Sequence, residues 1–305
     1  KYFSTPMGNL HAVDDVSLTL GKGKTLGVVG ESGCGKSTLG RTILRLIEPT
    51  EGEILFKGTE ITNASKKQMK QIRQKMQIIF QDPFSSLNPR MTVGQIISEP
   101  IRVNKLITNN EQMDERVYSL MDLVGLDDRF INSYPHELDG GRRQRIGIAR
   151  ALSVDPELII CDEPVSALDV SIQAQILNLL MDLGEKMQIS YIFITHDLSV
   201  VKHISDEIMV MYLGQCIEKS ASDELFQAPL HPYTKALLSA IPVPDLKHQK
   251  FFENIIRGEV TNPIEPKPGC RFAPRCPQVN DRCISKNIEL KEVNSGHLAA
   301  CVLYQ

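Results

Sequence analysis

A glycine-rich loop between a short apolar run and a helix-like run is the feature that most constrains the fold of this chain. Residues 25–29 read TLGVV, an apolar run of strand length, and GESGCGKST follows at residues 30–38. Glycines let the backbone turn tightly, so that successive N–H groups point at one anion, and a following helix adds its positive end. The sequence therefore predicts an α/β unit whose loop holds the phosphates of a nucleotide.

Two side chains of this loop have predicted roles in chemistry. Lys36 is expected to reach the β- and γ-phosphates, and Ser37 to offer its hydroxyl to Mg²⁺. The alternative, a chance glycine-rich turn, does not account for the strand before the loop and the helix-like TLGRTILRL after it. The residues expected to contact the nucleotide are Gly30, Ser32, Gly33, Cys34, Gly35, Lys36, Ser37 and Thr38.

A second apolar strand that ends in acidic residues is expected to complete the nucleotide site. LIICDE, residues 158–163, has this pattern. Asp162 would join the Mg²⁺ shell, and Glu163 would polarise a water molecule for attack on the γ-phosphorus. A strand that simply ends at two surface acids is the alternative.

The totals for the chain exclude some classes of function. A net charge of −3 over 305 residues gives no basic excess of the kind that general nucleic-acid binders show. No run of 18 apolar residues and no signal-peptide pattern is present, so we expect a cytosolic location. Clustered cysteines in that compartment favour metal or redox chemistry over disulfides.

Four further stretches identify the kind of phosphate-loop protein. They are IIFQDP (78–83), LDGGRRQR (138–145), SALD (166–169) and SYIFITH (190–196). Together with the two motifs above, and in this order, they resemble the ATP-binding-cassette (ABC) ATPases over roughly residues 1–225. The resemblance implies a P-loop NTPase core of α/β class, with a RecA-like sheet, an antiparallel β subdomain and a helical subdomain inserted at about residues 82–156. A small Cys-rich extension would occupy residues 226–305.

The resemblance also implies roles for three residues outside the loop. Gln81 would contact Mg²⁺ and the attacking water, and His196 would hold the γ-phosphate and the water in register with Glu163. Tyr2 or Phe3 falls where the family has an aromatic ring that stacks on adenine, and Tyr2 is the residue assigned to that role. Each has a plain alternative, because Gln81 and His196 could be ordinary polar residues and Tyr2 a packed edge residue.

The stretch at residues 138–145 resembles the family signature, which closes over ATP bound by a facing subunit. Gly140 and Gly141 open its helix, whose N-terminus is an anion site. Asp139 departs from the family, which usually has serine there. A carboxylate cannot donate a hydrogen bond to phosphate, and two anions about 4 Å apart repel by about 4 kcal/mol at a dielectric constant of 20. Asp139 either caps the helix and turns away from nucleotide, or makes this ATP site slow.

The C-terminal part resembles one group of ABC importers. APLHPYTKALLSAIP (228–242) and CDEPVSALDVSIQAQILNLL (161–180) are similar to the oligopeptide- and dipeptide-importer ATPases, which include nickel importers, and are closest to the F-type subunit. The resemblance implies a second, homologous ATPase, two membrane permeases and an extracytoplasmic solute-binding protein as partners. The chain would act peripherally at the cytoplasmic face of the membrane. Peptide is the leading cargo, ahead of nickel chelates and glycosides.

Four of the seven cysteines stand near the C-terminus, and their spacing is ambiguous. Cys270, Cys276, Cys283 and Cys301 lack the tight pairs of usual zinc sites and of common ferredoxin runs. Zinc, an iron–sulfur cluster and free thiols all remain open from the residues alone. The resemblance implies a 4Fe–4S cluster, with zinc as the alternative.

Two other classes of function fit the sequence less well. Soluble cassette ATPases that act on DNA or ribosomes usually contain a coiled-coil insertion or two cassettes, and the sequence has neither. A regulatory module that holds ATP without hydrolysing it would not need Glu163 and His196.

Overall fold

The computed structural model describes residues 1–241 and 264–305, so residues 242–263 of the predicted extension lie outside the described residues. The chain forms two compact units. The first unit consists of Lys1–Leu20, Thr25–Glu53 and the described part of Phe193–Gln305. The second unit consists of Gly21–Lys24 and Ile54–Ile192.

Strands and helices alternate through much of the described chain, as expected for an α/β protein. The strands are β1 (Tyr2–Thr5), β2 (Gly8–His11), β3 (Thr25–Val29), β4 (Leu55–Phe56), β5 (Thr59–Glu60), β6 (Met76–Ile79), β7 (Leu158–Asp162), β8 (Ser190–Ile194), β9 (Glu207–Tyr212), β10 (Gln215–Ala221), β11 (Lys291–Asn294) and β12 (His297–Ala299). The helices are α1 (Lys36–Ile43), α2 (Lys66–Lys75), α3 (Pro83–Ser86), α4 (Val93–Val103), α5 (Asn110–Leu123), α6 (Gly140–Leu152), α7 (Val170–Met187), α8 (Leu198–Ile204), α9 (Ser222–Gln227), α10 (Pro232–Ser239) and α11 (Asp281–Ser285). None of the helices in the described ranges combines the length and the apolar character that crossing a bilayer requires.

The first unit is built on a mixed sheet. β3 and β9 pair in parallel, with Val29 opposite Val210. β9 and β10, β10 and β12, and β12 and β11 pair antiparallel. Directly after β8, the Thr195 N–H donates to Val28 O at 3.1 Å, so the carboxyl ends of β8 and β3 are neighbours. β1 and β2 form a separate antiparallel hairpin.

The core of the first unit includes side chains from both ends of the chain. Val29 of β3 and Val210 and Tyr212 of β9 share one apolar cluster with Tyr233 of α10 and Phe272. Tyr212, Tyr233 and Phe272 meet edge to face, with ring centroids 4.8–5.3 Å apart. The described residues of the extension therefore pack into the same core as the phosphate-loop strand. A segment with few apolar residues gains stability by packing on an existing core.

The second unit combines a parallel strand pair with a group of helices. β6 and β7 are parallel, and α3, α4, α5 and α6 lie between them in sequence. α4 covers the helix-like segment VGQIISEPIRV and begins with a capping box, in which Thr92 accepts from the Gln95 N–H and the Gln95 side chain accepts from the Thr92 N–H. Asn109 caps α5 by accepting from the Glu111 N–H at 2.8 Å, without the reciprocal bond of a capping box. Local capping thus explains where α4 and α5 begin.

Candidate functional site

The phosphate loop leaves β3 through glycines that no other residue could replace without strain. Gly30 has φ +151°, and a Cβ there would lie 2.1 Å from Met211 O. Gly35 has φ +102°, and a Cβ there would lie 1.9 Å from Ala12 O. Gly33, with φ +79°, has open space around it and needs glycine for its backbone angle alone. The loop is therefore pressed against neighbouring backbone on one side and open on the other.

Lys36 begins α1, and its side chain folds back over the loop. Its Nζ donates to Gly30 O at 2.7 Å and to Glu31 O at 3.0 Å, and the side chain is 4% exposed. Ser37 and Thr38 follow in the first helical turn and are half-buried. Gly35 is the N-cap and provides no side-chain cap for the first helical N–H groups. The turn thus combines a buried ammonium group with a helix N-terminus, which suits an anion.

The other two predicted loop residues differ in exposure. Ser32 is exposed at the tip of the loop. Cys34 is buried, and its Sγ lies 3.8 Å from Lys36 Nζ. Burial raises the pKa of the Cys34 thiol despite the nearby lysine, so the residue acts as a small packed side chain.

Tyr2, the predicted adenine-stacking residue, is anchored by a polar group at one end. Its ring stacks on His11, with centroids 4.1 Å apart. Its hydroxyl donates to Asp14 Oδ1 at 2.7 Å, and this hydrogen bond, with burial, raises the pKa of Tyr2 to about 12. Arg271 of the extension also pairs with Asp14. One face of the Tyr2 ring is therefore already covered by His11.

His196 follows β8 in an exposed position. Its neighbour Thr195 is tied to β3 through Val28, so His196 stands at the same sheet edge at which β3 runs into the phosphate loop. Asp197 then caps α8 by accepting from the Ser199 N–H at 2.8 Å. The first unit thus places the histidine and the loop at the carboxyl ends of adjacent strands.

Gln81 and Glu163 meet in the second unit. Ile79 of β6 lies opposite Cys161 of β7, so Gln81 and Glu163, each two residues further along, are also level with each other. The Gln81 Nε2 donates to Glu163 Oε2 at 3.0 Å. Glu163 is half-buried and has φ 49°, an uncommon backbone angle for a non-glycine residue. Asp162, the last residue of β7, is 2% exposed.

Asp139 caps α6 at the predicted signature. Its Oδ1 accepts from the Arg142 N–H at 2.8 Å, and its other oxygen pairs with the Arg142 guanidinium. Gly140 and Gly141 form the first turn, where a Cβ would lie 3.1 Å from Leu168 and 2.8 Å from Ile172, respectively. The helix start is thus closely packed against the segment after β7, and the carboxylate is occupied by its own helix.

The four C-terminal cysteines lie in one neighbourhood, and none of them forms a disulfide. The Cys270 N–H donates to Cys283 O at 2.7 Å. Burial raises the pKa of Cys270 to about 11, and the other three thiols add to that rise. Burial likewise raises the pKa of Cys276 and of Cys301, again with contributions from neighbouring thiols. Within residues 1–241 and 264–305, no three His, Cys, Asp or Glu side chains are arranged to hold a metal ion.

Contacts between the extension and the phosphate loop were absent from the sequence predictions. Arg275 pairs with Glu31, the second residue of the loop, and the Tyr233 hydroxyl accepts from the Glu31 N–H at 2.9 Å. Arg275 and Glu31 are 244 positions apart, and no periodicity or motif links them. No local sequence signal could have identified this pairing.

Comparison with known proteins gives two family matches. Residues 13–166 match the family described as ABC transporter. Residues 217–283 match the family described as the C-terminal region of oligopeptide/dipeptide transporters.

Relatives match over nearly the full chain. The oligopeptide transport ATP-binding protein AppF of Bacillus subtilis is 53% identical over 304 residues, which cover 99% of this chain and 92% of that protein. OppF of Haemophilus influenzae, of the same description, is 50% identical over 303 residues, which cover 99% and 91%. Among solved structures, the dimeric ATP-binding cassette MJ0796 with ADP and Pi has a TM-score of 0.67 at 28% identity, covering 73% of this chain and 95% of that one. The cbiO1 subunit from Clostridium perfringens has a TM-score of 0.66 at 27% identity, covering 74% and 88%.

Proposed function

Because this chain belongs to the ABC transporter family and is an ATP-binding-cassette ATPase, we propose that it powers the import of oligopeptides or dipeptides. The relatives that match it over nearly their full length are described as oligopeptide transport proteins. Residues 217–283, which match the C-terminal region of oligopeptide/dipeptide transporters, support this cargo class. Nickel chelates and glycosides are the competing cargoes.

The geometry that carries the ATPase part of the proposal is the turn from β3 into α1. Gly35 has a left-handed backbone conformation, and the next residue, the buried Lys36, is the first residue of α1. This arrangement suits the terminal phosphates of ATP, because backbone N–H groups and one ammonium can face the same oxygens. Ser37, at the second position of the helix, would supply a hydroxyl to Mg²⁺.

The remaining site residues are assigned roles that their placement supports. Glu163 is the general base, and Gln81, which donates to its carboxylate, orients it and contributes to the Mg²⁺ shell. Asp162 is a further Mg²⁺ ligand, and the buried end of β7 fixes its position. His196 holds the γ-phosphate, and Tyr2 receives the adenine on the ring face opposite His11. Mg²⁺ would neutralise phosphate charge during the reaction.

The proposed assembly pairs this chain with a second, homologous ATPase. The start of α6, with Gly140 and Gly141, closes over ATP held by the partner ATPase, and the phosphate loop receives the corresponding helix of the partner. Two permeases and an extracytoplasmic solute-binding protein complete the importer. The chain is then peripheral at the cytoplasmic face of the membrane.

The test is reconstitution of the four subunits in lipid vesicles with the binding protein. Labelled oligopeptide, labelled dipeptide, a nickel chelate and a glycoside are offered separately, with ATP on the side of the ATPases. We expect peptide uptake that Lys36→Ala abolishes and that Lys66→Ala, a change of an exposed lysine in α2, leaves intact. Uptake of only the nickel chelate or the glycoside would overturn the peptide assignment, and uptake unaffected by Lys36→Ala would overturn the role of the loop.

We further propose that Cys270, Cys276, Cys283 and Cys301 hold a 4Fe–4S cluster. The four thiols supply the donor set of such a cluster, and their mutual electrostatic contributions place them in one neighbourhood, although they are not arranged around a metal within the described residues. A cluster would link Cys270, Cys276 and Cys283 to Cys301. The test is anaerobic purification with iron, sulfide and zinc analysis and a visible spectrum. We expect iron and acid-labile sulfide in equal amounts, lost in Cys283→Ser and retained in Cys34→Ser. Stoichiometric zinc without iron would reject the cluster.

A further inference from the structure

Arg275 of the extension forms a bidentate ion pair with Glu31, the second residue of the phosphate loop. Its Nη1 lies 2.8 Å from Glu31 Oε2, and its Nη2 lies 3.2 Å from Glu31 Oε1. The Arg275 side chain is 7% exposed and that of Glu31 is 25% exposed. A bidentate, partly buried ion pair has a specific geometry, and solvent screens it less than it screens a pair on the surface.

The backbone of Glu31 is held from the same direction. Its N–H donates to the hydroxyl of Tyr233 at 2.9 Å, and the ring of Tyr233 is fully buried against Tyr212 and Phe272. Arg275 Nη1 also lies 3.3 Å from the Tyr212 hydroxyl, so the arginine is fixed by the same aromatic group. Side chains from beyond residue 225 therefore hold both the peptide N–H and the carboxylate of Glu31.

Glu31 is tied in turn to the group that meets phosphate. The Glu31 carbonyl accepts from Lys36 Nζ at 3.0 Å and from the Cys34 N–H at 3.3 Å. A carboxylate at the entrance of an anion site repels phosphate unless a cation neutralises it, because charges several ångströms apart still interact at the dielectric constant of a protein surface. Arg275 is the cation that the structure places on that carboxylate.

We propose that Arg275 is a positioning residue for nucleotide binding, which acts through Glu31 by neutralising its charge and fixing the loop around Lys36. This proposal rests on the proposed binding of phosphate by residues 30–38. It assigns the described extension a role in ATP affinity that is separate from anything its cysteines bind. The effect should grow with the charge of the ligand, because it acts through the carboxylate.

The test is a charge cycle on the full-length chain, read as equilibrium affinity for Mg-ATP, Mg-ADP and adenosine. We expect Arg275→Gln to weaken ATP binding about tenfold, which is about 1.4 kcal/mol, to weaken ADP binding less, and to leave adenosine binding unchanged. The double variant Glu31→Gln/Arg275→Gln should recover most of the loss, since no unpaired carboxylate remains. High salt should shrink the difference between wild type and Arg275→Gln, because it screens the repulsion.

The control is Arg282→Gln, which changes an exposed arginine of the same extension that donates to Gln305 O and does not approach the loop. It should bind all three ligands as wild type does. If Arg275→Gln fails to fold, Arg275→Lys is the second variant, because lysine keeps the positive charge but cannot form the bidentate contact. We expect a two- to fourfold loss of affinity for ATP and a smaller loss for adenosine.

Several outcomes would overturn the proposal. They are unchanged ATP affinity in a folded Arg275 variant, equal losses for ATP and adenosine, and no recovery in the double variant. Failure of the proposed function would look different, because wild type and Lys36→Ala would then bind Mg-ATP equally weakly.

Discussion

Replacing Asp139 tests whether this residue serves its own helix. Asp139→Ala removes the acceptor for the Arg142 N–H, a loss of about 1 kcal/mol for a typical N-cap. It also removes the pair with the Arg142 guanidinium, whose partners are 57% and 43% exposed, so this pair adds no more than about 0.5 kcal/mol. The expected loss is therefore about 1–1.5 kcal/mol. Asp139→Ser keeps an acceptor oxygen and should lose only about 0.5 kcal/mol.

The assay is thermal unfolding of the purified chain, followed by far-ultraviolet circular dichroism. A loss of 1 kcal/mol corresponds to about 2–4 °C in domains of 150–250 residues, and the alanine variant loses about 0.5–1 kcal/mol more than the serine variant, so it should melt about 1–4 °C below the serine variant. Equal melting of Asp139→Ala and wild type would refute the capping argument. In the assembled transporter, Asp139→Ser should change ATPase activity less than about threefold. A rise of tenfold or more would instead mean that the carboxylate faces phosphate and slows the site.

Three further substitutions probe catalysis and packing. Glu163→Gln should lower ATP hydrolysis by about 10²–10⁴ while nucleotide is retained on the complex, and turnover at the wild-type rate would exclude the general-base role. Gly27→Ala would place a Cβ 1.9 Å from Val201 Cγ1, so the free energy of unfolding in urea should fall by about 1–3 kcal/mol, and an unchanged midpoint would contradict this. Glu218→Gln would remove an acceptor oxygen from a fully buried carboxylate bonded to His297 at 2.8 Å; a loss of about 1–3 kcal/mol is expected, and a neutral result would show that the amide finds equivalent partners.

The sequence was sufficient to predict local features, because their parts are neighbours in the chain. β3 coincides with TLGVV, and α1 begins at Lys36, as the loop motif indicates. The capping interpretation of Asp139 also rests on local chemistry, since an acidic residue before two glycines and a helix can satisfy a free N–H. ABC family membership followed from motif order and is confirmed by the family match.

The extension could not be derived in the same way. Its contacts with the loop depend on Tyr233 and Arg275, which lie more than 200 positions from Glu31 and belong to no periodic pattern. The domain boundary at about residue 225 stays a prediction, but the sequence could not show that Tyr233 and Phe272, from beyond that boundary, pack in the core with Val29. Composition reveals that such a segment lacks a core of its own, but not which existing surface it covers.

The pairing of β12 with β10 has a consequence for handling the protein. β10 is mostly buried, with β9 on one side and β12 on the other, and β11 ends the sheet with the exposed Lys291 and Glu292. Short charged edge strands resist pairing with strands of other molecules, whereas a bare apolar edge invites it. Shortened forms that stop before β11 would expose the unpaired edge of β10, and we expect them to aggregate on expression whether or not ATP is present.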